Sequence, residues 1–156
     1  MAATPATAAL EAAGVDFTTT EYELPTDADG YGDGVVEVLG LDPATVGKTL
    51  VAMVDERAVV AVVPVAGSLD LKALARAAGA KRATMADHAD AERLSGSVVG
   101  GIAPLGHRTR LAVFIDASFL DVEKMHVSGG RRGLEVTVAP DALVSACGAT
   151  VAPIAR

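Results

Sequence analysis

Thr49-Leu50-Val51-Ala52-Met53-Val54-Asp55-Glu56-Arg57-Ala58-Val59-Val60-Ala61-Val62-Val63 is the stretch on which the fold turns. Two β-branched runs flank a short charged interruption, the pattern of a β-hairpin. Their hydrophobicity is continuous rather than alternating, so both strands are expected to be buried on both faces. Working outward, Asp70 reads as the cap of an amphipathic helix, Leu71 to Ala78, closed by Gly79. Lys81 to Met85 reads as a short strand, and Asp87 to Leu94 as a helix closed near Gly96.

Upstream, Thr4-Pro5 is an N-cap followed by the first helical position, and Gly14 is the stop. Val15 to Glu23 is predicted as a strand, Pro25 to Gly32 as an acidic loop, and Asp33 to Leu39 as a helix ending at Gly40. Downstream, Leu111 to Ile115, Met125 to Ser128 and Leu134 to Val138 are strands. Pro140 starts a last helix, Asp141 to Cys147, with Gly148 after it. Strands outnumber helices at irregular spacing, which excludes a regular βαβ series. The expected fold is α/β: a single domain with a mixed, curved, barrel-like sheet and helices around it.

The bulk composition agrees. One domain fits 156 residues, and 51% hydrophobic content supports a core without disulfides or metals. With only 3% aromatics, Val, Ala and Leu must build that core. The net charge of −7 argues against a general nucleic-acid coat, since phosphate contacts need local positive charge. A small basic mouth on an acidic body remains open, with Lys48, Lys81-Arg82, Arg108-Thr109-Arg110 and Arg131-Arg132 as candidates beside the reading of solvated surface charge. Cys147 is the single cysteine, so no intramolecular disulfide forms. Residues 1–7 lack a basic leader region, and the longest apolar run, Ala58 to Gly67, is too short to span a membrane. A cytoplasmic location is expected.

Several familiar motifs fail on inspection. Gly47-Lys48-Thr49 imitates the tail of a P-loop, but Asp42 stands where the first glycine belongs and a strand follows instead of a helix. Gly32-x-Gly34 is followed by Glu37 where a dinucleotide fingerprint needs its third glycine. His88, His107 and His126 show no metal-ligand spacing, and no metal or cofactor is expected. Cys147 sits among Val144, Ala146 and Ala149 and reads as a buried thiol. No Gly-x-Ser-x-Gly elbow exists. The chain offers no obvious nucleophile.

One segment stands out: Gly100-Gly101-Ile102-Ala103-Pro104-Leu105-Gly106. Glycines let a backbone approach a ligand closely, and Pro104 stiffens the turn. Such a segment can present N–H groups to a polarised oxygen, or it can be a tight structural loop. A second segment, Val127-Ser128-Gly129-Gly130, ends a predicted strand.

These residues closely resemble the GGISPxG segment of bacterial YbaK-type proteins, the Cys-tRNA(Pro) deacylases. Lys48-Thr49-Leu50, the stretch Val63 to Leu71 and the stretch Val127 to Leu134 agree in order and spacing, so the resemblance runs from about Thr4 to Ile154. It implies a fold like the prolyl-tRNA synthetase editing domain. It also implies an activity, removal of cysteine mistakenly attached to tRNA(Pro), with the substrate thiol attacking its own ester. The implied partners are the tRNA(Pro) acceptor end and prolyl-tRNA synthetase, with no membrane.

By the same resemblance Lys48 and Gly101 are catalytic, Lys48 holding the terminal phosphate or ester and Gly101 with its neighbours supplying amides to the oxyanion. Tyr22, Tyr31, Thr49, Gly100, Ile102, Pro104, Ser128, Gly129 and Glu135 are the implied substrate-binding positions. The chain departs from the family pattern at Tyr31 for Phe, Ala103 for Ser, His107 for Gln and Glu135 for Asp. The extra methylene of Glu135 bears on amino-acid specificity more than on reaction class. Two alternatives are a sibling deacylase of other specificity, such as Ala-tRNA(Pro), and a non-catalytic module that binds tRNA or the synthetase.

Overall fold

A computed structural model describes residues 3–23 and 31–156. Helix α1 (Pro5–Ala12) starts as expected: Thr4 accepts from the Thr7 amide, the Thr7 hydroxyl accepts from the Thr4 amide, and Pro5 occupies the first turn. Strand β1 (Phe17–Glu21) and helix α2 (Tyr31–Leu39) follow, the latter closed by Gly40 at φ 64°. The loop expected over Pro25 to Gly32 falls largely outside the described residues, as does the side chain of Tyr31.

The hairpin forms in the expected place. Strands β2 (Gly47–Val54) and β3 (Arg57–Pro64) pair antiparallel from Gly47–Pro64 to Val54–Arg57. Asp55 takes φ 54° at the tip, a conformation Asp tolerates better than most residues. Its carboxylate accepts from the Lys81 and Arg82 amides at 3.1 and 3.0 Å, tying the turn to the next connection. Helix α3 (Leu71–Ala77), capped by Asp70, leads into β4 (Ala83–Met85), which pairs with β2 at Ala52–Val54. Helix α4 (His88–Ser95) has Asp87 as its cap and Gly96 in the left-handed region at its end.

Strand β5 (Ala112–Asp116) lies parallel to β3 and is followed by a 3₁₀ turn, Ala117–Asp121. Strands β6 (Met125–Ser128) and β7 (Leu134–Val138) form the second hairpin, with β1 on the far side of β7. Helix α5 (Pro140–Cys147) and a short strand β8 (Thr150–Ala152), parallel to β5, complete the chain. Neither β8 nor the 3₁₀ turn was expected.

The result is a mixed α/β domain with two sheets, ordered β1-β7-β6 and β4-β2-β3-β5-β8. The barrel-like expectation is corrected, because neither sheet closes. β6 meets the residues just before β2, through a parallel bridge between Val46 and His126 and the His126 amide donating to Thr45 O at 3.0 Å, and farther along that edge β4 takes its place.

The main core lies between the sheets. Val60, Val62, Ile115, Phe119, Val127, Val136 and Leu143 meet there, all almost wholly buried. The next residues along β3, Val59, Ala61 and Val63, enter a second core with Ala52, Val54 and Leu74 of α3. β3 is therefore buried on both faces, as its continuous hydrophobicity implied. β2 departs from that expectation: Lys48, Thr49 and Leu50 are only half-buried. Buried Asp116 fastens the C-terminal segment, its carboxylate accepting from the Ile154 and Ala155 amides at 2.9 Å each.

Candidate active site

The edge of β2 has a gap. Between Val46, bridged to His126, and Ala52, paired with Met85, it has no strand neighbour among the described residues, and Lys48 and Thr49 lie there. Gly47 sits against Val127, where a Cβ would come 3.3 Å from the valine methyl. Side chains alternate along strands, so Lys48, one residue on, shares a face with Ser128. Ser128 is paired in register with Glu135, and Glu135 with Thr20. Lys48 of β2 is thus brought onto one face with Ser128 and Glu135 of the β6–β7 hairpin, far from it in sequence. Lys48 makes no ion pair among the described residues.

Ser128 and Glu135 are 3% and 1% exposed, an uncommon burial for a carboxylate. Tyr22, just past β1, donates its amide to Gly133 O at 2.9 Å and so lies beside this pair. Its hydroxyl is buried without a hydrogen-bond partner among the described residues. Burial, reinforced by the Glu135 charge and opposed by Arg132, pushes the phenol up to about 12. It stays a neutral O–H at working pH. Glu135 offers the chemistry to receive an ammonium group, and Ser128 and Tyr22 offer neutral hydroxyls around it.

The two glycine segments touch. A Cβ on Gly101 would lie 2.6 Å from Arg132 N and 2.8 Å from Arg131 C, so only glycine admits the β6–β7 turn at this distance. Gly100, at φ 94°, lies under the Arg132 side chain. Gly129 donates its amide to Leu134 O at 2.8 Å, while its carbonyl accepts from the Thr4 hydroxyl. Ser128 Oγ accepts from the Gly130 amide at 3.2 Å. Thr4 therefore caps α1 and anchors the site turn at once, a role its place in the sequence does not announce. Arg131 pairs with Glu21, leaving Arg132 as the cation over Gly100.

One part of the expected oxyanion arrangement changes. The Gly101 amide donates to Val98 O at 2.9 Å and is satisfied within its own turn. The adjoining amides of Gly100 and Ile102 make no hydrogen bond among the described residues. Ile102 packs beside Val51, and Pro104 is buried with Cys147 behind it, the thiol donating to Pro104 O at 3.7 Å. His107 holds the other side of the turn through Nε2 and Ala103 O at 2.6 Å. Thr49 does not join Lys48: alternation turns it to the opposite face, where its hydroxyl is buried without a partner among the described residues.

Neither of the two half-buried histidines serves a nucleophile. Burial holds His107 and His126 below the usual imidazole range, and they bond to Ala103 O and the Thr137 hydroxyl respectively. Burial pushes the Cys147 thiol up to about 12, opposite to what an attacking thiolate requires. Among the described residues no group of three His, Cys, Asp or Glu side chains could hold a metal, and no helix is long and apolar enough to cross a membrane.

Comparison with known proteins shows the family. The model of the aminoacyl-tRNA editing domain matches residues 33–146. An Enterococcus faecalis protein named "Putative Cys-tRNA(Pro)/Cys-tRNA(Cys) deacylase EbsC" is 34% identical over 127 residues, 80% of this chain and 77% of that protein. Among solved structures, one described as a "putative trans-editing enzyme for prolyl tRNA synthetase" superposes with a TM-score of 0.82 at 24% identity, covering 100% of this chain and 99% of the other. The hypothetical protein APE2540 superposes at 0.87 with 22% identity, covering 98% and 100%. These two establish likeness of fold. The chain belongs to the aminoacyl-tRNA editing domain family, enzymes that remove amino acids from tRNA.

Proposed function

We propose that the chain is a trans-editing deacylase that removes cysteine from Cys-tRNA(Pro), extending to Cys-tRNA(Cys), through attack by the substrate's own thiol. The observation that carries this reading is a polar face beside the glycine turn with no activated thiol or histidine among the described residues. Lys48, Ser128 and Glu135 share a face beside the glycine turn, while the chain's one thiol is turned to Pro104 O. The E. faecalis relative's name points the same way.

In this mechanism the substrate sulfur, as thiolate, bonds to its own carbonyl carbon. The bond to the ribose oxygen breaks, that oxygen takes a proton, and tRNA leaves with cysteine as its thiolactone, which water opens. Glu135 receives the α-ammonium, and Ser128 with Tyr22 bounds the side-chain pocket. Lys48 steadies the ester or terminal phosphate. The Gly100 and Ile102 amides face the developing oxyanion, held in place by the bonded Gly101. Pro104 and Gly129 fix the two turns. Tyr31 completes the implied substrate positions, and Thr49 backs them from the opposite face of β2 without touching the substrate. Prolyl-tRNA synthetase is the proposed partner, since a −7 protein holds polyanionic tRNA weakly alone.

The test is a panel of tRNA(Pro) charged in parallel with cysteine, serine, alanine or proline. Loss of cysteine alone, rising with pH toward the thiol pKa near ~8.5, supports the proposal. Selective loss of alanine, or no loss anywhere, contradicts it.

A further inference from the structure

Away from the site, a groove of about 660 Å³ runs between α3 and β4 and carries Lys72, Arg76, Lys81 and Arg82. All four are exposed, and none makes an ion pair among the described residues. That concentrates four of the chain's 13 Lys and Arg residues in one groove of a protein with net charge −7. The floor is small: Ala75, Ala80 and Ala83 leave room for a polymer backbone to approach the cations. The wall is also fixed, because Asp55 accepts from the Lys81 and Arg82 amides and its own amide donates to Arg82 O.

Position gives the groove its meaning. α3 packs by Leu74 on the face of β2 that carries Ala52 and Val54, and alternation puts Lys48 on that same face. β4 pairs at Ala52–Val54, four to six residues beyond Lys48, or roughly 13–20 Å at ~3.3 Å per residue. At about 3.4 Å per stacked nucleotide, that is roughly four to six nucleotides. A polymer whose 3′ ester lies at Lys48 reaches the groove about where the single-stranded end of a tRNA gives way to its first base pairs. With four cations and no aromatic side chain lining it, the groove suits phosphates rather than stacked bases.

We infer that the α3–β4 groove is the binding track for the acceptor-stem phosphates of the tRNA whose 3′ end is edited. This rests on the proposed function, so its test separates the two. The variant Lys72→Gln/Arg76→Gln/Lys81→Gln/Arg82→Gln is compared with the parent in two assays. The first is affinity for uncharged tRNA(Pro) across a salt series. The second is hydrolysis of a short cysteinyl ester of a CCA trinucleotide, which ends before the groove.

The expected result is a slope of log K against log salt shallower by about 3, at ~0.7–0.9 for each phosphate that the variant no longer neutralises, with unchanged cleavage of the short ester. Unchanged tRNA affinity and slope would overturn the inference. So would weakened binding to prolyl-tRNA synthetase with tRNA binding intact, which would make the groove a protein contact. If the parent fails to cleave any cysteinyl ester, the proposed function falls, while the salt slope still decides the groove.

Discussion

Gly101→Ala adds one methyl where two turns meet. Its Cβ would fall 2.6 Å from Arg132 N, 2.8 Å from Arg131 C and 3.0 Å from Arg131 Cα. All three are backbone atoms, so no side chain can rotate aside, and the β6–β7 turn must retreat by roughly 0.8 Å to reach ordinary contact. Overpacking of this kind costs about 1–3 kcal/mol, which lowers Tm by about 2–12 °C in a domain of this size. The displaced turn carries Gly129 and Gly130 beside Ser128, and a misplacement near 1 Å costs about 10²-fold in rate. The assay is single-turnover loss of cysteine from Cys-tRNA(Pro) at a temperature where circular dichroism shows both proteins folded. Gly14→Ala is the control: at φ 71° with no atom within 4 Å of its Cβ, it loses about 1–2 kcal/mol to backbone strain alone and keeps full activity. A folded Gly101→Ala protein with parental rate would refute the reasoning.

The same geometry fixes three more outcomes. Lys48→Ala lowers deacylation by about 10²–10³-fold while changing stability by less than about 1 kcal/mol, checked by kinetics and thermal melting together. Cys147→Ala retains deacylation, and in the parent protein Cys147 resists alkylation at pH 8 until denaturant is added, because burial keeps the thiol protonated. His107 and His126 are held neutral by burial, so below pH ~6.5 the unfolded chain binds protons that the folded chain refuses. Stability therefore falls as pH drops below about 6.5, and His107→Gln/His126→Gln flattens that slope in denaturant titrations.

Local chemistry explains what was legible in the sequence. Thr4, Asp70 and Asp87 cap helices because their side chains reach amides three residues on, and Gly14, Gly40, Gly79 and Gly96 end helices at positive φ. The hairpin was legible because both its strands and its turn are contiguous. What escaped was non-local. β8 is three residues long and exists through parallel pairing with β5, some 36 positions earlier. The open sheets escaped because strand count and curvature do not say whether edge strands meet.

For the site, the resemblance supplied the residues and the structure supplied their neighbours. Register puts Lys48 beside Ser128 and Glu135, and turns Thr49 away. The contact of Gly101 with the Arg131–Arg132 backbone and the bond from Thr4 to Gly129 O both join segments separated along the chain, so neither could be read from spacing.

The most direct measurement compares Cys-tRNA(Pro) with the same tRNA carrying S-methylcysteine, both under single-turnover conditions with the parent protein. Thiol-assisted cleavage predicts rapid loss of cysteine and an S-methylcysteine ester that decays no faster than it does in buffer. Equal enzymatic rates on the two esters would contradict it and would require a water or protein nucleophile instead.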